Sequence, residues 1–137
     1  MTYFLFIYGT LLQKENHYAR YINQHCSYIS SGKVKGLLYD LGEYPGMIPA
    51  NKNNAWVYGC IYKMDNPTAI LKVIDEYEGV GPEENQPNLY KRISMPVETP
   101  YGIQDAWVYL YNLPVKGLRP VPEGNYLEYI KQKKSPG

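Results

Sequence analysis

Residues 67–80 read PTAILKVIDEYEGV, a helix written out with both of its ends. Asp65 or Asn66 can cap it, and Pro67 suits the first helical position. Ile70, Val73, Ile74 and Tyr77 recur at helical spacing, so one stripe of a three-turn helix faces the core. Gly79 is the stop, because glycine accepts the left-handed conformation just past a helix end. Glu78 then falls in the last turn, on the edge of the apolar stripe. Glu76 points to the opposite side and Asp75 lies well off the stripe. The negative end of the helix dipole and partial burial both raise the pKa of a carboxylate at that point. Glu78 is therefore a candidate general base or acid. The plainer alternative is a solvated helix end, at a cost of only ~0.3–1 kcal/mol.

On the N-terminal side of this helix, residues 55–64 (AWVYGCIYKM) are rich in β-branched and aromatic side chains and read as a strand. Gly59 within it marks a bulge or a close contact. Residues 3–7 (YFLFI) form a near-continuous apolar run, expected of a strand buried on both faces. That run ends at Tyr8-Gly9-Thr10-Leu11, where Gly9 permits a tight turn or close backbone approach, and residues 13–23 read as a short helix. A strand, a glycine turn and a helix start leave several backbone N–H groups without partners, a site for a carboxylate or an oxyanion. Residues 28–31 and 32–38 are strand material around turns. Residues 40–49 (DLGEYPGMIP) read as a loop with turn chemistry at Tyr44-Pro45-Gly46, and residues 51–54 as a polar turn.

Past the helix, residues 81–88 (GPEENQPN) are too polar and proline-rich to be regular and form a surface loop or lid. Residues 89–98 and 103–110 are an antiparallel pair joined at Pro100-Tyr101-Gly102. Asp105 is expected to pair with Lys91 or Arg92 across it. Residues 113–124 are loop, and residues 125–133 a short helix packing Tyr126, Leu127 and Ile130. With no repeat or linker, residues 1–137 read as a single domain. Strands outnumber helices in mixed order, which predicts an α+β domain around a small curled or closed sheet.

Fourteen basic and thirteen acidic residues leave a formal charge of +1, with no excess to neutralise phosphates; this argues against nucleic-acid and membrane-surface partners. Lys131, Lys133 and Lys134 are the one basic cluster and read as a solvated tail. The apolar N-terminus is too short for the about 20 residues a bilayer requires and has no basic leader pattern, so a soluble, cytoplasmic chain is expected. Cys26 and Cys60 lack CxxC spacing, and His17 and His25 are the only histidines. That is a thin set for zinc or a Cys–His nucleophile, and Cys60 reads as a small core residue. Sixteen tyrosines, against two Phe and two Trp, suit half-buried barrel strands or a pocket for a polar small molecule.

The ordered set Tyr8-Gly9-Thr10-Leu11, Gly59-x-Ile61-Tyr62, Ile74-Asp75-Glu76-Tyr77-Glu78-Gly79, Leu89-Tyr90-Lys91-Arg92 and Trp107-Val108-Tyr109 resembles the gamma-glutamylcyclotransferase-like family. The resemblance spans roughly residues 3–112. It implies a small mixed β-barrel with flanking helices and a cavity at one end. It further implies an enzyme that cyclises a γ-glutamyl group, the substrate's α-amine attacking its own γ-carbonyl to give 5-oxoproline and a free amine. No metal or organic cofactor takes part in that reaction. The family's catalytic glutamate matches Glu78. Its substrate-binding turn matches Tyr8, Gly9, Thr10 and Leu11, and its strand tyrosines match Tyr90 and Tyr109.

Three other readings predict different structures. A non-catalytic binding module would keep the cavity without turnover. A protein-interaction domain would show a broad apolar patch in place of a closed cavity. A two-carboxylate hydrolase would use Glu78 with Asp75, Glu83 or Glu84, at carboxyl separations of roughly 5–9 Å.

Overall fold

The computed structural model describes residues 2–9, 17–50, 54–84 and 86–134. Its elements in chain order are β1 (Phe4–Ile7), α1 (His17–His25), β2 (Cys26–Asp40), β3 (Pro45–Pro49), β4 (Trp56–Met64), α2 (Pro67–Glu78), β5 (Tyr90–Thr99), β6 (Gly102–Tyr111), β7 (Arg119–Val121) and α3 (Tyr126–Lys134). Thr10, Leu11, residues 13–16 of the expected first helix, residues 51–53 of the polar turn and Asn85 lie outside the described residues.

The strands β2, β4, β1, β6 and β5 pair in that order, and β5 returns to β2 at Glu98 and Lys33, closing a five-stranded barrel. Every pairing is antiparallel except β1 with β6, where Leu5 stands beside Trp107. The α+β barrel expected from the sequence is thus the observed architecture. Side-chain alternation along β1 explains its unbroken apolar run. Phe6 and Tyr8 join Val34, Ile61, Val97 and Val108 in a cluster drawn from all five strands, which fills the barrel. Leu5 and Ile7 point the other way, onto Ile22 of α1 and Ile70, Leu71 and Ile74 of α2. Gly59 lets β4 lie against β1, since a Cβ there would sit 2.1 Å from the Ile7 carbonyl oxygen.

Helix α2 starts and stops as its sequence dictates. The Asn66 side chain accepts from the Ala69 N–H at 3.3 Å, Pro67 takes the first turn, and Gly79 closes the helix at φ 70°. The N–H of Val80 then caps the Asp75 carbonyl at 2.8 Å.

Several local expectations are overturned. Residues 28–38 belong to one 15-residue strand, β2, interrupted by a bulge between Tyr28 and Ser30. Residues 45–49 are not loop but strand β3, paired with residues 36–40 of β2. Prolines 45 and 49 end this edge strand, where a missing N–H donor does little harm. Likewise β7, within the expected loop 113–124, pairs Val121 with Leu38. Asp105 stands opposite Pro96 in the β5–β6 register, out of line with Arg92, which faces Tyr109. Lys133 is tied down, its Nζ 2.9 Å from an Asp40 carboxylate that also accepts from the Tyr129 hydroxyl at 2.6 Å. Among the described residues no helix is long and apolar enough to cross a membrane.

Candidate functional site

A cavity of about 360 Å³ opens where the end of β1 meets the end of α2. Tyr8 and Gly9 from β1's exit, Tyr77 and Glu78 from α2, Tyr90 from β5 and Tyr109 from β6 form its inner wall. Tyr44 and Pro45 at the head of β3, with Glu84 and Leu89, also line it, and so does Glu76, which the helical spacing had put on the opposite side from Glu78. Two distant pieces of chain, the glycine bend and the helix end, therefore face one enclosed space.

Glu78 owes its place to the helix register. Ile74 and Leu71 are buried against the barrel and Gly79 turns the chain away, which leaves the Glu78 side chain in the cavity wall. Among the described residues nothing donates a hydrogen bond or offers an ion pair to its carboxylate. Burial away from water raises its pKa from 4.5 to about 8. The group holds its proton until mildly alkaline pH, which is the property of a site acid or base.

The three tyrosines around it are fixed by their hydroxyls. Tyr8 donates to the Tyr109 carbonyl at 2.5 Å and accepts from the Met47 N–H at 3.3 Å, joining β1, β6 and β3 at one point. Tyr90 donates to the Pro45 carbonyl at 2.5 Å. Tyr109 donates to Asp75 at 2.6 Å. Burial pushes all three phenols above the ordinary tyrosine value, and the Glu78 charge adds to each. They stay neutral hydroxyls, and their remaining lone pairs and ring faces are what they present to the cavity.

Asp75, weighed from the sequence only as a second acid for a hydrolase, has a bracing role that sequence reasoning missed. It lies off the apolar stripe, yet it is half-buried and receives the Arg92 guanidinium on both oxygens, Nε at 2.9 Å and Nη2 at 3.2 Å, besides the Tyr109 hydroxyl. Arg92 also lies 4.6 Å from the centre of the Trp107 ring. This cluster pins the last turns of α2 to β5 and β6, one turn before Glu78. Helical periodicity holds no trace of it, because the partners arrive from strands 17 and 34 residues away.

Gly9 is placed by contact with β3: a Cβ there would meet the Pro45 ring at 2.7 Å. Thr10 and Leu11, expected beside it, fall outside the described residues. Of the carboxylates a two-acid hydrolase would need, Asp75 is occupied by Arg92 and Tyr109, Glu83 does not line the cavity, and Glu84 does. Among the described residues no three His, Cys, Asp or Glu side chains converge as a metal set. The thiols of Cys26 and Cys60 are unpaired, and burial raises both, Cys26 to about 12, which leaves little thiolate for chemistry.

The closed barrel thus holds an acid in a small cavity at the end of its central helix, and comparison with known proteins gives the class. The chain belongs to the gamma-glutamyl cyclotransferase, AIG2-like family, whose model matches residues 5–128. It is 33% identical over 134 residues to the gamma-glutamylcyclotransferase family protein YtfP of Escherichia coli K12, covering 93% of this chain and 98% of YtfP. The solution structure of ytfP from Escherichia coli matches at a TM-score of 0.65 and 30% identity, over 93% of this chain and 98% of that one. Identity is 36% over 110 residues to the gamma-L-glutamyl-butirosin B gamma-glutamyl cyclotransferase of Niallia circulans, over 79% of this chain and 66% of the relative. The crystal structure of YkqA from Bacillus subtilis matches at a TM-score of 0.72 and 25% identity; it covers 99% of this chain, which spans 44% of YkqA.

Proposed function

We propose that this protein is a γ-glutamyl cyclotransferase that converts a γ-glutamyl amine or amino acid into 5-oxoproline and the free amine, with Glu78 as general base and acid. The observation that carries the reading is the enclosed Glu78 carboxyl, raised to about 8 by burial, in the same cavity as the bend at Gly9.

An α-ammonium cannot attack until it loses a proton, and a carboxylate whose pKa is raised towards that of the ammonium takes that proton at lower free-energy cost than an ordinary one. In this scheme the Glu78 carboxylate takes a proton from the ammonium, and the neutral amine attacks the γ-carbonyl carbon. The new C–N bond closes a five-membered ring, and the carbonyl oxygen becomes an oxyanion. Glu78 then protonates the nitrogen of the departing amine, the oxyanion collapses, and the old C–N bond breaks. The ring nitrogen returns its extra proton to Glu78, which finally releases it.

By the family resemblance, backbone N–H groups at Gly9, Thr10 and Leu11 are assigned to the oxyanion and the substrate carboxylate; one such donor is worth ~3–4 kcal/mol in the transition state. Tyr8, Tyr90 and Tyr109 shape the pocket around the glutamyl head. Nucleophile and electrophile belong to one molecule, so holding the folded conformer supplies much of the acceleration.

Incubation with a panel of γ-glutamyl compounds, followed by quantification of 5-oxoproline, tests the reading. Glu78→Gln is expected to lower turnover by roughly 10²–10⁴-fold, the usual worth of general acid–base catalysis. Ligand binding without turnover of any compound would favour the non-catalytic module instead.

A further inference from the structure

We infer that the amine released at this site carries a second, distal positive charge, and that Glu76 and Glu84 recognise that charge while the amine is still part of the substrate. The inference rests on the cyclotransferase reading and deepens it. The cavity has a gradient of exposure: Tyr8, Tyr90 and Tyr109 are buried at its inner end, whereas Tyr44, Glu76 and Glu84 are exposed where it opens. A γ-glutamyl head seated between Gly9 and Glu78 therefore directs its amine substituent outward, past the two carboxylates.

The charge balance of that passage is one-sided. Glu76 and Glu84 line it, Glu78 behind them keeps its proton at neutral pH, and no Lys, Arg or His among the described residues lines the cavity. Arg92 is committed to Asp75, and neither Glu76 nor Glu84 forms an ion pair among the described residues. The Tyr44 ring adds an aromatic face of the kind that attracts a cation. An amine bearing a carboxylate, as in a γ-glutamyl dipeptide, meets like charge on leaving; a diamine, polyamine or amino sugar meets opposite charge. Glu78 cannot supply the selection itself, because its enclosed carboxyl is taken up with the proton transfer at the reacting nitrogen.

Three amides with the same glutamyl head test this: those of 1,4-diaminobutane, n-pentylamine and 5-aminopentanoate, whose distal groups are positive, neutral and negative. At low salt the diamine amide is expected to exceed the pentylamine amide by about 10-fold in kcat/KM, and the aminopentanoate amide to fall below both, as two carboxylates at partly screened distances require. The ratio is expected to shrink at 0.5 M salt and to collapse to about 1–3-fold in the Glu76→Gln, Glu84→Gln double variant. Turnover of all three amides within twofold of one another overturns the inference while leaving the cyclotransferase reading intact. So does a preference that survives the double substitution unchanged. Turnover of none of the three sinks the underlying reading, and this inference with it.

Discussion

Glu78→Gln is expected to make the folded protein more stable above pH 6 while removing its activity. The carboxyl has a pKa of 4.5 when free in water and about 8 in the fold. Below the lower value it is protonated in both states, and the fold bears no extra cost. Between the two values the unfolded chain releases the proton and the folded chain keeps it, so stability falls as pH rises. Above the higher value the penalty is complete. At about 1.4 kcal/mol per tenfold, it amounts to roughly 3 kcal/mol at pH 7 and 4–5 kcal/mol by pH 9. Water in the open end of the cavity screens part of this, towards ~2 kcal/mol. Gln bears no such penalty at any pH. The assay is urea unfolding of both proteins from pH 5 to 9, read as the difference between them, which cancels the titration of every other group. The difference should open steadily from pH 5 to 8 and then level off. In step with it, kcat/KM of the wild-type protein should climb with pH through about 8 as the base form appears. Parallel stability curves across that range would refute the account of Glu78 as an enclosed, uncompensated acid.

Three further outcomes follow from the packing. Asp75→Asn removes the charge that holds Arg92 and Tyr109, and is expected to cost about 1–3 kcal/mol in urea unfolding; a double-mutant cycle with Arg92→Gln should return a coupling of at least ~0.5 kcal/mol. Tyr8→Phe leaves the Met47 N–H without its acceptor and is expected to cost ~1–3 kcal/mol, with faster amide exchange at Met47 as the specific readout. Gly59→Ala drives a methyl group into the Ile7 carbonyl and should cost ~3 kcal/mol or more, visible as a loss of thermal midpoint that alanine at the exposed Tyr58 does not produce.

The helix from Pro67 to Glu78 was legible almost to the residue, because its cap, its proline, its apolar stripe and its terminating glycine are all local signals. The same locality made Glu78 conspicuous and Gly59 recognisable as a close contact. Strand β3 was not legible, since residues 45–49 carry turn chemistry and become a strand only when β2 offers its edge. The pairing of Asp75 was overlooked for a related reason: its helical position says solvent, and its partners belong to two strands. Family resemblance pointed to Tyr90 and Tyr109 as ligand-facing, and both do line the cavity. Their hydroxyls nonetheless go to Pro45 and Asp75, which no motif discloses.

By itself, then, the sequence determined the helices and the main barrel strands, though not β3 or β7, as well as where the central helix stops and that its last turn carries an acid. Local free-energy preferences act over a few residues, and each of those features is written within a few residues. Only the closed barrel decided that this acid would lose much of its water, face the bend after β1 and be braced through Asp75. Desolvation and pairing depend on what the rest of the chain brings near, and that is fixed when β5 meets β2.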